Sequence, residues 1–231
     1  MPLLLNIDAA TEQASVYLSN DGKVIAIEQS LEQKSHASFL QLAIDGIFSK
    51  ANISLSQIDA VAVTAGPGSY TGLRVGLASA KGLCYASNKP LILLNTLEIM
   101  AFASVQNQKK CASDTPPPFF YCPMIDARRM EAFIAIYDSV LKLHFNPTAV
   151  VLNEHFFNNF LNKGKIVFSG SGHYKLKSIL QHKNAIYSDV IYDANIIVTI
   201  SEKKFHKKVF SNVAYCEPLY IKEAYITASK R

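Results

Sequence analysis

The densest chemistry in this 231-residue chain lies between positions 64 and 74, where Gly66, Pro67, Gly68, Ser69, Tyr70, Thr71, Gly72, Leu73 and Arg74 follow one another. An apolar run from Ile58 to Ala65 precedes them and a helical pattern from Leu73 to Ala86 follows. At a strand-to-helix junction the free backbone N–H groups and the positive helix end favour an anion. Glycine lets backbone or phosphate approach closely, Ser69 and Thr71 supply hydroxyls, and Arg74 supplies a cation. The segment is not a Walker loop, because no Lys-Ser/Thr pair follows its last glycine. It is not a dinucleotide fingerprint either, because the next strand ends at Leu94 and Asn95 without an acid for a ribose. A phosphate cradle and a plain tight turn both remain open. Gly66, Gly68, Ser69, Thr71 and Arg74 are the nucleotide candidates, together with Asp8.

Asp8 ends the first apolar run, where a carboxylate can hold a metal–nucleotide through water. Phosphoryl transfer also needs positioned donors and a metal cradle. Here Ala9 and Ala10 follow, and of the usual wrapping residues only Thr11 remains. The matching place in the second half, Asp126-Ala127-Arg128-Arg129, has no glycine turn. A turn-capping role for Asp8 is therefore an equal alternative. His36 stands alone with Leu40 one turn on, and the chain has no HxxxH or HExxH pattern, so no metal site of its own is expected. The cysteines at 84, 111, 122 and 216 are scattered, which suits a reducing compartment and no disulfide framework. No serine has a visible triad setting, so no catalytic residue is assigned.

The helix after the glycine segment has an unusually small surface, with Gly72, Gly76, Ala78, Ser79, Ala80 and Gly82. Glycine inside a helix costs roughly 1 kcal/mol relative to alanine, so it calls for a reason. Close approach of another helix is the usual one, and that neighbour is either the helix from His36 in this chain or the same pair of helices on a partner. The preceding helix, from His36, carries Phe39, Leu40, Ala43, Ile44, Ile47, Phe48 and Ala51 on one broad face, with Leu42 beside it. Phe39, Leu40, Ala43, Ile47, Leu73, Gly76, Leu77 and Ala80 are expected to form a partner interface, and a bulky residue at Gly76 or Ala80 to abolish it without unfolding the chain.

These features need a scaffold. Leu3–Asp8, Ala14–Ser19 and Lys23–Gln29 read as strands, the last two joined by the tight turn Asn20-Asp21-Gly22. The helix from His36, the strand 58–65, the helix 73–86, the strand 91–95 and a helix 96–105 with Thr96 as cap complete a β-β-β-α-β-α unit and its continuation. Residues 107–118 are polar, end in three prolines and read as a linker. Then 119–126, 132–137 and 140–145 read as strands, 153–161 as a helix, 165–169 as a strand ending in Gly170-Ser171-Gly172, and 174–181 and 194–208 as helices, with Asp193 capping the last. The order repeats the first half. The expected fold is α/β, two β-β-β-α-β-α lobes with mixed sheets, laid out as in actin, sugar kinases and heat-shock chaperones. The first lobe is 1–106 and the second 119–231.

The net charge of +5 is uneven, −2 over residues 1–108 and +7 over 109–231. A basic second half is compatible with RNA nearby, and a solvated lysine face is the commoner explanation. The run Lys203-Lys204-Phe205-His206-Lys207-Lys208 has the same two readings. No stretch approaches the ~18 apolar residues of a membrane span, the first residues lack a basic leader, and the cytoplasm is the expected compartment.

Residues 66–74, continued by Val75-Gly76 and Ala80-Lys81-Gly82-Leu83, resemble the strand–GPGS(F/Y)TGLR–helix segment of the TsaB family, formerly called YeaZ. Ile7-Asp8 with Thr11-Glu12, Ser35-His36, Ile125-Asp126-Ala127-Arg128 and Pro218-Leu219-Tyr220-Ile221-Lys222 are similar to that family's other segments. The likeness runs the length of the chain and is strongest across residues 1–135. It implies an actin-like (ASKHA) duplicated ribonuclease H-like fold without a working active site. It further implies a non-catalytic partner required by a TsaD-type subunit, which binds the metal and transfers threonylcarbamoyl to adenosine 37 of tRNA. A TsaE-type ATPase joins that pair, tRNA is met indirectly, and a homodimer would compete for the same helices. No cofactor of its own is implied, though ATP or ADP at the subunit junction is. A small-molecule kinase of the actin-like superfamily and an RNA-binding scaffold are the competing readings.

Overall fold

Strands β1 (Leu3–Asp8), β2 (Ser15–Asn20) and β3 (Lys23–Gln29) lead into helix α1 (His36–Ala51), strand β4 (Ala60–Gly66), helix α2 (Tyr70–Ser87), strand β5 (Leu91–Asn95) and helix α3 (Thr96–Lys110). The second half has strands β6 (Phe120–Asp126), β7 (Glu131–Tyr137) and β8 (Leu143–Val151), helix α4 (Asn158–Leu161), strand β9 (Ile166–Ser169), helix α5 (His173–Lys177), strand β10 (Ala185–Ser188) and helix α6 (Ala194–His206). This computed structural model describes residues 1–11, 13–30, 36–110 and 120–222.

The first sheet has the order β3-β2-β1-β4-β5 and the second β10-β9-β6-β7-β8. In each, an antiparallel hairpin opens the lobe and parallel strands follow, β4 beside β1 and β9 beside β6. This is the duplicated β-β-β-α-β-α arrangement expected from the order of apolar runs. Parallel strands covered on both faces read as continuous apolar runs, and β4 is buried at every position. On one side Leu5, Ile7, Val61 and Val63 meet α1 and α2, and on the other Leu4, Ala60, Ala62, Ile92 and Leu94 meet α3 and α6.

Helix α3 lies between the two sheets. Ile99 and Phe102 pack on the first, and Leu97, Met100, Ala101 and Val105 meet Ala135, Tyr137, Tyr121 and Val167 of the second. That double burial explains why α3 runs past Val105 to Lys110, so the start of the expected linker 107–118 is helical. The rest of that linker lies outside the described residues. The cap of α3 is Asn95, whose Oδ1 accepts from the N–H groups of Leu97 and Glu98 at 2.9 and 3.2 Å. Thr96, expected to cap, has a buried hydroxyl without a hydrogen-bond partner.

A further correction concerns the boundary of the lobes. Helix α6 follows the second sheet in sequence, yet Ala194, Ile197 and Ile200 pack on the first sheet. The segment after it also returns there, with Ser211 bridging to Leu91. Helix α6 and the segment through Leu219 thus complete the first lobe, not the second as the division at 119–231 had it, whereas Ile221 packs beside Ala135 and Tyr137 and Lys222 pairs with Glu131 of the second sheet. The physical reason is that one face of β1, β4 and β5 must be covered, and α3 alone is shared with the other sheet. Strand β10 was not foreseen, and α4 and α5 are shorter than expected. Cys84, Cys122 and Cys216 are free thiols, and Cys111 is outside the described residues.

Candidate functional site

Parallel pairing of Ile7 with Val63 puts Asp8 and Thr64 side by side at the ends of β1 and β4. Asp8 is only 3% exposed. Its Oδ1 accepts from the Thr64 hydroxyl at 2.8 Å and the Ala10 N–H at 3.1 Å, and its Oδ2 from the Tyr192 hydroxyl at 3.0 Å. Thr64 Oγ1 in turn accepts from the Ala9 N–H at 3.3 Å. Burial pushes the Asp8 carboxyl above its ordinary range, and these three donors only partly offset it. Burial and the Asp8 charge hold the Tyr192 phenol well above its own range, so it stays a proton donor. The carboxylate is therefore saturated by the protein, and Tyr192, from the segment entering α6, closes it from the second-lobe side. Tyr192 carried no signal in the sequence, because its role depends on α6 returning to the first sheet.

The glycine loop is drawn onto the same turn. The Ser69 N–H donates to the Ala10 carbonyl at 2.8 Å, and a Cβ on Gly68 would sit 2.2 Å from that oxygen. Glycine at 68 thus serves loop-on-loop contact. Gly66, at φ +111°, is enclosed by Leu73 and the Leu219 carbonyl. The Ser69 hydroxyl accepts from the Gly72 N–H at 3.2 Å and caps α2, which fills part of the donor set an anion would use. Of the six nucleotide candidates, Asp8, Gly66, Gly68 and Ser69 come together at this corner, where Asp8 and Ser69 bond to neighbouring residues and the two glycines lie in close contact with packed protein. Thr71 and Arg74 face outward. Arg74 donates to the Tyr70 hydroxyl at 2.7 Å, and the Tyr70 ring lies 5.3 Å from that of Tyr220. The C-terminal segment crosses this corner: Leu219 N–H donates to the Ala65 carbonyl at 2.7 Å, Lys81 donates to the carbonyls of Ala214 and Cys216 at 3.1 Å each, and Lys222 meets Glu131 at 2.6 Å.

The matching corner of the second lobe is filled as well. Asp126 accepts from the Lys175 ammonium at 2.7 Å and the Arg128 N–H at 2.6 Å. Gly170, at φ +86°, would place a Cβ 2.1 Å from Met100 Cε and 2.5 Å from the Met124 carbonyl. Beside it the Ser104 hydroxyl donates to Ser169 Oγ at 2.9 Å. The first glycine junction thus meets packed protein of its own lobe, and the second meets Met124 of its own lobe and Met100 of the other.

The expected interface residues need correction. Leu40, Ala43, Ile47, Leu73, Leu77 and Ala80 are core side chains, Gly76 is buried facing Ala9, Val63 and Ile7, and Phe39 is half-buried. These residues seat α1 and α2 on the sheet, so the small residues at 76 and 80 serve helix-on-strand packing. A bulky residue there would disturb the fold itself. The outward face of the pair is different. Gln41, Ile44, Val75, Ala78, Ser79, Gly82 and Leu83 line an open groove of about 520 Å³ between the helices, bridged by Gln41 Nε2 donating to Ser79 Oγ at 2.9 Å. Leu42 is 75% and Tyr85 87% exposed on the same two helices. A Cβ on Gly82 would meet nothing within 4 Å. The signal for this face was present in Leu42 and Gly82, but the stripe of small residues made Gly76 and Gly82 look alike.

The family model for TsaD, tRNA N6-adenosine threonylcarbamoyltransferase, matches residues 23–228. The TsaB protein of Escherichia coli K12, named for tRNA threonylcarbamoyladenosine biosynthesis, is 29% identical over 226 residues, which is 95% of this chain and 94% of that protein. The chain belongs to the TsaD family, in its TsaB (YeaZ) branch. The Haemophilus influenzae TsaB is 38% identical over 103 residues, 45% of this chain and 43% of that protein. A threonylcarbamoyltransferase of Sphingopyxis alaskensis is 31% identical over 114 residues, 42% of this chain and 33% of its own length. The structure of YeaZ from Pseudomonas aeruginosa superposes with a TM-score of 0.77 at 22% identity, over 95% of this chain and all of that one, which shows the shared actin-like fold. Among the described residues no helix is long and apolar enough to cross a membrane.

Proposed function

We propose that this chain acts in tRNA threonylcarbamoyladenosine biosynthesis as a cytoplasmic, non-catalytic partner that docks on a TsaD-type catalytic subunit through the outer face of α1 and α2. Gly82 carries the reading. An exposed glycine inside a helix costs stability, and no neighbour among the described residues needs the space its missing side chain leaves. Beside it lie Ala78, the groove and the exposed Leu42 and Tyr85. A flat surface of small residues rimmed by apolar side chains suits close approach of another helix pair, and a large exposed apolar patch marks an interaction site. A second copy of this chain would use the same face and compete, and a TsaE-type ATPase joins the assembled pair. The saturated Asp8 supports the non-catalytic role, because a small-molecule kinase needs that carboxylate free for a metal–nucleotide. An ATP or ADP at the junction would meet this chain at Thr71 and Arg74, the two exposed nucleotide candidates.

The test is Gly82→Leu, assayed by co-purification with the catalytic subunit and by reconstituted tRNA modification. The variant should stay folded, because the site is open, and should lose both pairing and modification. Undiminished pairing by a folded Gly82→Leu chain would sink the docking reading. A folded variant that loses pairing while modification proceeds would sink the partner role.

A further inference from the structure

The second sheet gathers positive charge at one end. Phe120, Ile166 and Ala185 open β6, β9 and β10 in parallel register, and Tyr137 and Leu143 lie at the same end of β7 and β8. Lys165 and Lys183 immediately precede β9 and β10, and the carbonyls of Lys165 and Asn184 accept from the N–H groups of Phe120 and Ile166. Lys142 closes the β7–β8 turn, with its carbonyl 3.0 Å from the Asp138 N–H. Lys163 stands over the Phe160 ring at 5.7 Å, and Phe160 and His144 both pack edge-on against Phe120 at 5.3 Å. Five strands at about 4.8 Å spacing make this end about 19 Å wide.

Between Ser139 and Ser188 the chain carries six lysines and a single acid, Glu154. Glu154 follows Val151, which pairs with Glu131 at the opposite end of the sheet. Lys175 is spent on Asp126, also at that far end. Among the described residues no ion pair joins Lys142, Lys163, Lys165 or Lys183 to a carboxylate, and Asp138, at the β7–β8 turn, is bonded to His144 at 3.1 Å. Lys142, Lys163 and Lys183 are exposed and Lys165 is half-buried. Unpaired like charges brought together by the fold repel one another, and a polyanion relieves that repulsion. Point-charge lysines beside the rings of His144 and Phe160 suit a nucleic-acid backbone, with charge for phosphate and flat faces for bases.

We propose that this end of the second sheet contacts the phosphate backbone of RNA, so that the chain meets tRNA directly. The choice of RNA rests on the tRNA-modifying process of the family. It does not rest on docking through α1 and α2, and the two ideas fail separately. Fluorescence anisotropy of a labelled, unmodified tRNA transcript with the isolated full chain tests it, titrated between 50 and 200 mM KCl. Three phosphate contacts should weaken binding by about 20–40-fold across that range. The triple variant Lys142→Glu, Lys163→Glu and Lys183→Glu should bind at least about tenfold more weakly at 50 mM and lose about 2–3 from the salt slope. A charge-matched variant elsewhere, Lys89→Glu, Lys207→Glu and Lys208→Glu, should change binding less than about threefold. Equal losses in both variants would overturn the assignment of this surface. Binding of polyglutamate or anionic vesicles that matches tRNA and depends on the same three lysines would overturn RNA as the partner. The sheet-end variant should still co-purify with the catalytic subunit, whereas Gly82→Leu should lose the subunit and keep tRNA binding.

Discussion

Replacing Tyr192 with Phe removes one hydroxyl from the Asp8 carboxylate and leaves its ring in place. Asp8 Oδ2 then loses its O–H donor at 3.0 Å, while Oδ1 keeps Thr64 and Ala10. A hydrogen bond to a charged group contributes about 1.5–3 kcal/mol, and a neutral one about 0.5–1.5 kcal/mol. The folded-state carboxyl is already raised above its ordinary value of 3.8 by burial, and losing the donor raises it further. A carboxyl with a raised folded-state value favours the native state fully below its unfolded value, and that contribution is lost as pH rises through the folded value. The cost of Tyr192→Phe should therefore be about 1.5–3 kcal/mol where Asp8 is ionised and fall towards about 1 kcal/mol as acid protonates it, so that it is larger at pH 8 than at pH 4. Asp8→Asn removes the buried charge, keeps an acceptor for Thr64 and Ala10, and lets the Tyr192 hydroxyl turn to accept from the amide. It should be within about 1 kcal/mol of wild type at pH 8 and should flatten the pH dependence of the Tyr192→Phe cost. The chain has no tryptophan, so urea unfolding followed by far-ultraviolet circular dichroism at several pH values is the assay. A Tyr192→Phe cost that is the same at pH 4 and pH 8, or an Asp8→Asn cost above about 2 kcal/mol, would refute a saturated, buried carboxylate at this corner.

The two helix and loop glycines with opposite surroundings give two further expectations. Gly82→Ala adds a methyl that touches nothing, so it should stabilise the chain by about 1 kcal/mol, seen as a rise of about 2–4 °C in Tm. No gain would mean that the helix needs glycine there for a reason inside this chain. Gly170→Ala forces a side chain into a φ of +86° and against Met100 and the Met124 carbonyl. Backbone strain of about 1–3 kcal/mol adds to the clash, so soluble yield and Tm should both fall, and an unchanged Tm would contradict the packing of α3 between the lobes.

Much of the scaffold was legible because each local rule pointed the same way. The apolar runs of β1, β4 and β5, the Asn20-Asp21-Gly22 turn, the broad stripe of α1 and the Asp193 cap, whose Oδ1 accepts from the Ile196 N–H at 3.0 Å, are short-range features. The repeat of element order was equally local, and the GPGSYTGLR segment carried the family likeness. The extent of α3 was not legible, since its polar end is helical through burial of its other turns between two sheets. Nor was the distinction between Gly76 and Gly82, which share a helix and differ only in what the sheet places against them.

By itself, then, the sequence determined every strand but β10, most helices, the duplication and the strand-to-helix glycine junctions, all set by interactions within a few residues. Only the tertiary structure decided that α6 and the residues after it return to the first sheet, that Tyr192 closes Asp8, that Gly68 lies against Ala10, and that four lysines lie at one sheet end. Each of these joins residues distant in the chain, and strand pairing and core burial place them. The glycine segment shows the division: its residue types announced a close approach, and the fold supplied the Ala10 carbonyl as what approaches.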